Sequence, residues 1–210
     1  MSGKSFPISI GTVVCLISLT FAIPATQWFA TKLIAYPEFS GSVSSVSIIL
    51  TIGLLCRKQK TIRFQLPSLQ RKIFYLIALT VILGLLVFNI QNQPVAKITG
   101  RSRTPLEVFD LIVLLPVAEE LIFRGVIWSK LEKISPAHLP VLAGSSFLFG
   151  IEHLGYWAQS NWPLPLDAYL HAFSMIFAGL FFGYFRLKSD SLTIPAVLHM
   201  LANGAILLTQ

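Results

Sequence analysis

Three groups of polar side chains lie inside otherwise apolar stretches of this sequence. Glu119, Glu120 and Arg124 fall within 116–125, Glu152 and His153 close another apolar run, and His199 with Asn203 lie in the last one. An ionisable side chain at the centre of a membrane-spanning helix costs roughly 2.5–3.5 kcal/mol, so such groups usually mark a functional site or a paired structural one. On a helix Glu120 and Arg124 are i,i+4 with the acid N-terminal, and they can pair on one face. Glu119 lies about 100° further round and is left for other work. A carboxylate can act as general base on a water held by a histidine. A second histidine and an amide can hold the oxyanion that develops as water attacks a carbonyl. The same residue types could instead ligate zinc, with Glu119, His153 and His199 as ligands and an open position for water.

The elements that must position these residues are helices. The chain has 210 residues, 54% hydrophobic and 12% charged, with a mean hydropathy of +0.73. A soluble domain carries about a quarter charged residues. The expected class is therefore all-α, a polytopic transmembrane helical bundle of about seven spans. A net charge of +7 would suggest nucleic acid in a soluble chain. Here the basic residues cluster at the ends of apolar runs, which is topology information and anionic-lipid contact. The lipid bilayer is thus the expected environment, and no nucleic-acid partner is expected. Cys15 and Cys56 show neither metal spacing nor a disulfide framework.

In chain order the expected spans are 8–30, broken by Pro24, then 42–56, then 73–90. A basic loop from Arg57 to Lys72 and a polar loop over 91–104 separate them. Thr104-Pro105-Leu106-Glu107 has the form of a capping box with proline at the first helical position. It opens a fourth helix with Glu107 and Asp110 at the interface and an apolar part from Leu111 to Trp128. Pro136 opens a fifth, expected to end near His153–Gly155, with Glu152 at the water boundary and His138 interfacial. An aromatic loop over 155–166 follows, then spans over 167–185 and 192–208. His171 reads as a packing residue. The basic loop places the N-terminus in the cytoplasm and the C-terminus outside, so the cavity opens to the extracytoplasmic side beneath the 155–166 loop as a lid. Lys97, Arg101 and Arg103 oppose that orientation. Residues 1–103 read as an N-terminal three-helix membrane region and 104–210 as the catalytic core.

Other hydrolase signatures are missing. There is no His-Glu-x-x-His and no Gly-x-Ser-x-Gly, and Asp110, Asp167 and Asp190 all lie near span ends. Glu119-Glu120-x-x-x-Arg124, Phe149-x-x-x-His153 and His199-x-x-x-Asn203, in that order over about 104–207, resemble the motif set of the CPBP family. That family comprises the CAAX-prenyl-protease-type and bacteriocin-processing intramembrane proteases, also called Abi. The resemblance implies that Glu119 and His153 activate the water, that His199 and Asn203 stabilise the oxyanion, and that Glu120 and Arg124 are mainly structural. It implies an intramembrane endopeptidase acting on a membrane-anchored or exported peptide. A multi-pass protein of a bacterial plasma membrane is expected. Asparagine is a poor zinc ligand and the histidines share no ligand motif, which favours a glutamate protease without metal over a zinc enzyme. Two other classes fit parts of the pattern. A proton- or ion-coupled transporter could use Glu119 and the histidines as a relay, but no inverted repeat is present. A non-catalytic immunity or scaffold protein would not need the complete set of polar residues.

Overall fold

The computed structural model describes residues 9–33, 37–56, 104–159 and 162–208, and all regular structure among them is helical. The expected third span, 73–90, and the loops flanking it lie outside the described residues.

The first apolar run is two helices, α1 (Ile10–Thr20) and α2 (Ala22–Leu33), meeting at a bend of 52°. The bend has a local cause. Pro24 has no N–H to give to the carbonyl of Thr20, and its ring crowds that carbonyl. α3 (Pro37–Cys56) starts one turn before the expected 42. It packs on α2, where Thr26 and Ser44 hydroxyls meet at 2.6 Å.

The fourth helix, α4, runs without a break over 105–134 and carries the first polar group. Its start is the capping box read from the sequence. The Thr104 hydroxyl accepts from the Glu107 N–H at 3.2 Å, and the Glu107 carboxylate accepts from the Thr104 N–H at 2.7 Å. Two stretches are π-helical, Asp110–Leu114 and Leu121–Ile127, and they bracket the α-helical Leu115–Glu120. The first directly precedes Pro116, whose ring needs room at the preceding turn, and a widened turn supplies it. Lys130, Glu132 and Lys133, beyond the apolar part that was expected to end at Trp128, are helical too. Trp128 Nε1 donates to Glu132 across one turn at 2.8 Å, and the helix continues to Ile134. Asp110, expected at the interface, is buried on the side that meets α3.

α5 (His138–Ala158) also outlasts its expected end. Gly155 does not stop it, because the missing side chain lets α5 pass close to the α1–α2 bend. A Cβ there would sit 3.0 Å from both Phe21 and Pro24. Tyr156 and Trp157 are therefore helical, and the aromatic connection shrinks to 159–165. α6 (Leu166–Ser189) lies against α5 along its length, and α7 (Thr193–Leu208) packs on α6 and α4. α6 runs past Arg186 because that side chain is buried. Arg186 reaches the Arg124 carbonyl at 3.3 Å and pairs with Asp190 at 3.0 Å, and the helix ends at Asp190 with a left-handed φ of 49°. Its exposed Tyr169, Leu170, Phe173 and Phe177 form an apolar outer surface. α6 is long and apolar enough to cross a membrane by itself, and the bent α1–α2 pair qualifies as a broken span.

α5 and α6 approach until backbone meets backbone. A Cβ on Gly150 would lie 2.6 Å from the Ala172 carbonyl and would collide with Ile176. One on Gly179 would lie 2.9 Å from the Ser146 Cα. The Gly179 carbonyl is also where Arg124 is anchored. Arg124 is 0% exposed, donates from Nη2 to that carbonyl at 2.9 Å and from Nη1 to Glu120 at 3.1 Å, and lies 4.5 Å from the Phe149 ring centroid. It thus ties α4, α5 and α6 together. Arg124→Ala leaves the Glu120 carboxylate buried without its cation, a class of change that costs about 3–5 kcal/mol. The expected outcome is a large fall in melting temperature and in membrane abundance, read by thermal scanning of the purified protein. An unchanged melting temperature would mean that the pair contributes nothing.

Candidate functional site

Glu119 and Glu120 are consecutive on α4 and so face different ways. Both are buried, at 3% and 1% exposure. Glu120 turns towards Arg124. Glu119 turns into an open-sided cavity of about 340 Å³ lined by α2, α4, α5, α6 and α7. His153 from α5, and His199 and Asn203 from α7, line the same cavity. Four polar side chains separated by up to 84 residues in sequence therefore meet in one space. The i,i+4 spacing of His199 and Asn203 puts both on the α7 face turned to α4.

Hydrogen bonds orient each of these groups. His153 Nδ1 lies 2.9 Å from the Phe149 carbonyl, one turn back on its own helix. A carbonyl can only accept, so Nδ1 carries the proton and Nε2 keeps a lone pair able to accept from water. His199 stands between two carboxylates, with Nδ1 3.1 Å from Glu120 Oε1 and Nε2 3.4 Å from Glu119 Oε2. Its ring stacks on Phe182 at 4.6 Å, which fixes the ring plane. Asn203 Nδ2 donates to the Leu111 carbonyl at 3.0 Å, inside the first π-helical stretch of α4. Glu120 thus does more than pair with Arg124, since the same Oε1 holds the imidazole of His199.

Tyr156 donates to Glu119 Oε1 at 3.4 Å, and Gln27, Trp157, His171 and Met175 complete the polar and aromatic wall. Sequence reasoning passed over Tyr156, Trp157 and Gln27. Tyr156 and Trp157 fall within the expected 155–166 loop, although their spacing of three and four residues from His153 continues a helical face. His171, read as a packing residue, sits 5.3 Å from the His153 ring and lines the cavity. Glu152, expected at the water boundary, is instead 0% exposed and does not line the cavity. It lies on α5, near enough to Glu119 and Arg124 for direct electrostatic interaction.

Among the described residues no three His, Cys, Asp or Glu side chains converge as a metal site would require. His199 Nδ1 is taken up by Glu120, which leaves Nε2 as the nitrogen turned towards Glu119.

Comparison with known proteins draws on the same segment. Neither a curated protein nor a solved structure matches the chain. A family model does match, over residues 101–205, half of the chain and all four helices from α4 to within three residues of the end of α7. That match is narrower than the resemblance read from the motifs, since it singles out the CAAX branch. By this match the chain belongs to the type II CAAX prenyl endopeptidase Rce1-like family, a family of membrane-embedded proteases.

Proposed function

We propose that the protein is an intramembrane endopeptidase in which Glu119 and His153 activate a water for attack on a peptide carbonyl, while His199 and Asn203 hold the oxyanion. The observation that carries this reading is the meeting of those four side chains around one cavity within the family-matched segment. His153 supplies a lone pair at Nε2, and Glu119 supplies a carboxylate already oriented by Tyr156. Together they hold a water and take its proton. As water adds, charge develops on the carbonyl oxygen. His199, oriented through Nδ1 by Glu120, turns Nε2 to the cavity, and Asn203 retains a second amide hydrogen beyond the one given to Leu111. The proton held by Glu119 leaves with the amine as the C–N bond breaks.

Substrates of the proposed reaction are membrane-anchored or exported peptides, with prenylated CAAX-type tails the first class to test given the family. The bilayer position follows from the apolar outer faces. We read the chain as about seven spans, with the cavity opening to the extracytoplasmic side near the 159–165 connection. Reporter fusions at that connection are expected to show extracytoplasmic activity in a bacterial plasma membrane, and cytoplasmic activity would reverse the orientation.

Two biochemical outcomes are expected of purified protein in liposomes with fluorogenic farnesylated peptides. Glu119→Gln keeps volume but cannot take a proton, so kcat falls about 10²–10⁴-fold while the melting temperature holds. His199→Ala and Asn203→Ala lower kcat more than they raise KM, in the range of about 10²–10³-fold for an oxyanion donor. Near-normal cleavage by Glu119→Gln would assign the base elsewhere, with Glu120 next to be tested. Chelation with EDTA is expected to leave activity unchanged, because asparagine is a poor zinc ligand and the histidines share no ligand motif. Loss on chelation with recovery on added zinc would overturn the metal-free mechanism.

A further inference from the structure

The α1–α2 pair lies outside the family-matched segment, yet it reaches the cavity of that segment by two routes. The first is direct, since Gln27 lines the wall. The second runs through the last turn of α5. Gly155 stands against the α1–α2 bend, and a Cβ there would meet Phe21 and Pro24 at 3.0 Å. Gln159 follows four residues later on the same face, and its Nε2 donates to the Pro24 carbonyl at 3.1 Å. Tyr156 stands in the turn between those two fastenings. It packs on the apolar cluster to which the bend contributes the fully buried Ile23. Its hydroxyl donates to Glu119 Oε1 at 3.4 Å. The other oxygen of that carboxylate, Oε2, faces His199 Nε2, also at 3.4 Å. The head group of Glu119 is therefore spanned between α5 and α7, one oxygen to each.

We infer that the bent α1–α2 pair is a working part of the active site, and that Tyr156 is the positioning residue through which it acts. The bend holds the last turn of α5, and the Tyr156 hydroxyl holds Glu119. The inference rests on the protease reading above. A glutamate side chain is long and rotatable, whereas a general base must stand within about 2.6–3.2 Å of the group it deprotonates. A donor on one carboxylate oxygen stops rotation of the head group and leaves the other oxygen as the proton acceptor. Tyr156 does this without adding a charge, and it keeps its own proton throughout. The usual O–H···O distance is about 2.7–2.8 Å. At 3.4 Å the hydroxyl is at the edge of its reach, so a small displacement of the α5 end decides whether the contact is made. Contacts of this kind tighten once substrate is bound. Gly155 and Gln159 set that displacement, because both fix the same turn to the bend.

Tyr156→Phe removes the hydroxyl and keeps the ring. Gly155→Ala sets a methyl against Phe21 and Pro24, and Gln159→Met keeps the volume and drops the donor. Gly155→Ala and Gln159→Met are each made alone and on Tyr156→Phe. All are purified, reconstituted and assayed with farnesylated fluorogenic CAAX peptides beside wild type and Glu119→Gln, with thermal scanning of every variant. For Tyr156→Phe the expected result is a kcat about tenfold lower or more, KM within about twofold and an unchanged melting temperature. Gly155→Ala and Gln159→Met should each lower kcat about threefold or more, and by less than about twofold once the hydroxyl is gone. Should Gly155→Ala fail to fold, Gln159→Met carries the same comparison. Three results would overturn the inference. One is a Tyr156→Phe kcat within about twofold of wild type. Another is a lower melting temperature in that variant with activity following the folded fraction. The third is an effect of the bend variants that is absent, or equal with and without the hydroxyl, which would make the bend a packing support only. If wild type cleaves none of the peptides above the Glu119→Gln background, the protease reading fails first, and this inference falls with it.

Discussion

Arg124 is the group on which the other arrangements depend. A guanidinium cannot shed its proton in a protein, so in an interior without water it must be surrounded by acceptors and ring faces. Here a carboxylate on its own helix, a backbone carbonyl on α6 and the rings of Phe149 and Phe182 fill that shell. Each partner is tied in turn to the site. Glu120 grips His199, Phe149 accepts from His153, and Phe182 stacks on His199. The demand of one buried cation therefore fixes the orientation of both imidazoles. Its own carbonyl receives Arg186, a second buried arginine, which extends the constraint to the far end of α6.

Local rules made part of this readable in advance. The capping box at Thr104, the Glu120–Arg124 pair and the shared face of His199 and Asn203 all depend on spacings of three or four along one helix, and the structure has each at hydrogen-bonding distance or along one wall. Helix ends were less readable because tertiary contacts decide them. Gly155 looks like a terminator in isolation, but the α1–α2 bend packs against it and α5 continues. Arg186 looks like an interfacial stop, and the Arg124 carbonyl draws it inward.

Burial of Glu152 was harder still to foresee. A motif spaced Phe149-x-x-x-His153 directs attention to the line of those two residues along α5, whereas Glu152 stands to one side of it. Which side of α5 meets α4 depends on how two helices cross, and no single-helix periodicity contains that. The π-helical stretches are similar. Pro116 signals a disturbance, but a kink, a break and a widened turn are all compatible with it. Only the neighbouring α7, with Asn203 bonded to the Leu111 carbonyl, shows how the widened turn is used.

The glycine contacts between α5 and α6 divide the cavity wall by stiffness. Where backbones touch at Gly150 and Gly179 there is no side-chain layer to compress or reorganise, so the two helices move as one body. His153, Tyr156, Trp157, His171 and Met175 all ride on that body. Across from them stands Gln27 on α2, beyond a bend whose proline has already removed a backbone hydrogen bond. Any widening of the cavity is therefore easiest on the α2 side. The side chains carried by α5 and α6 keep their spacing while the α2 side yields.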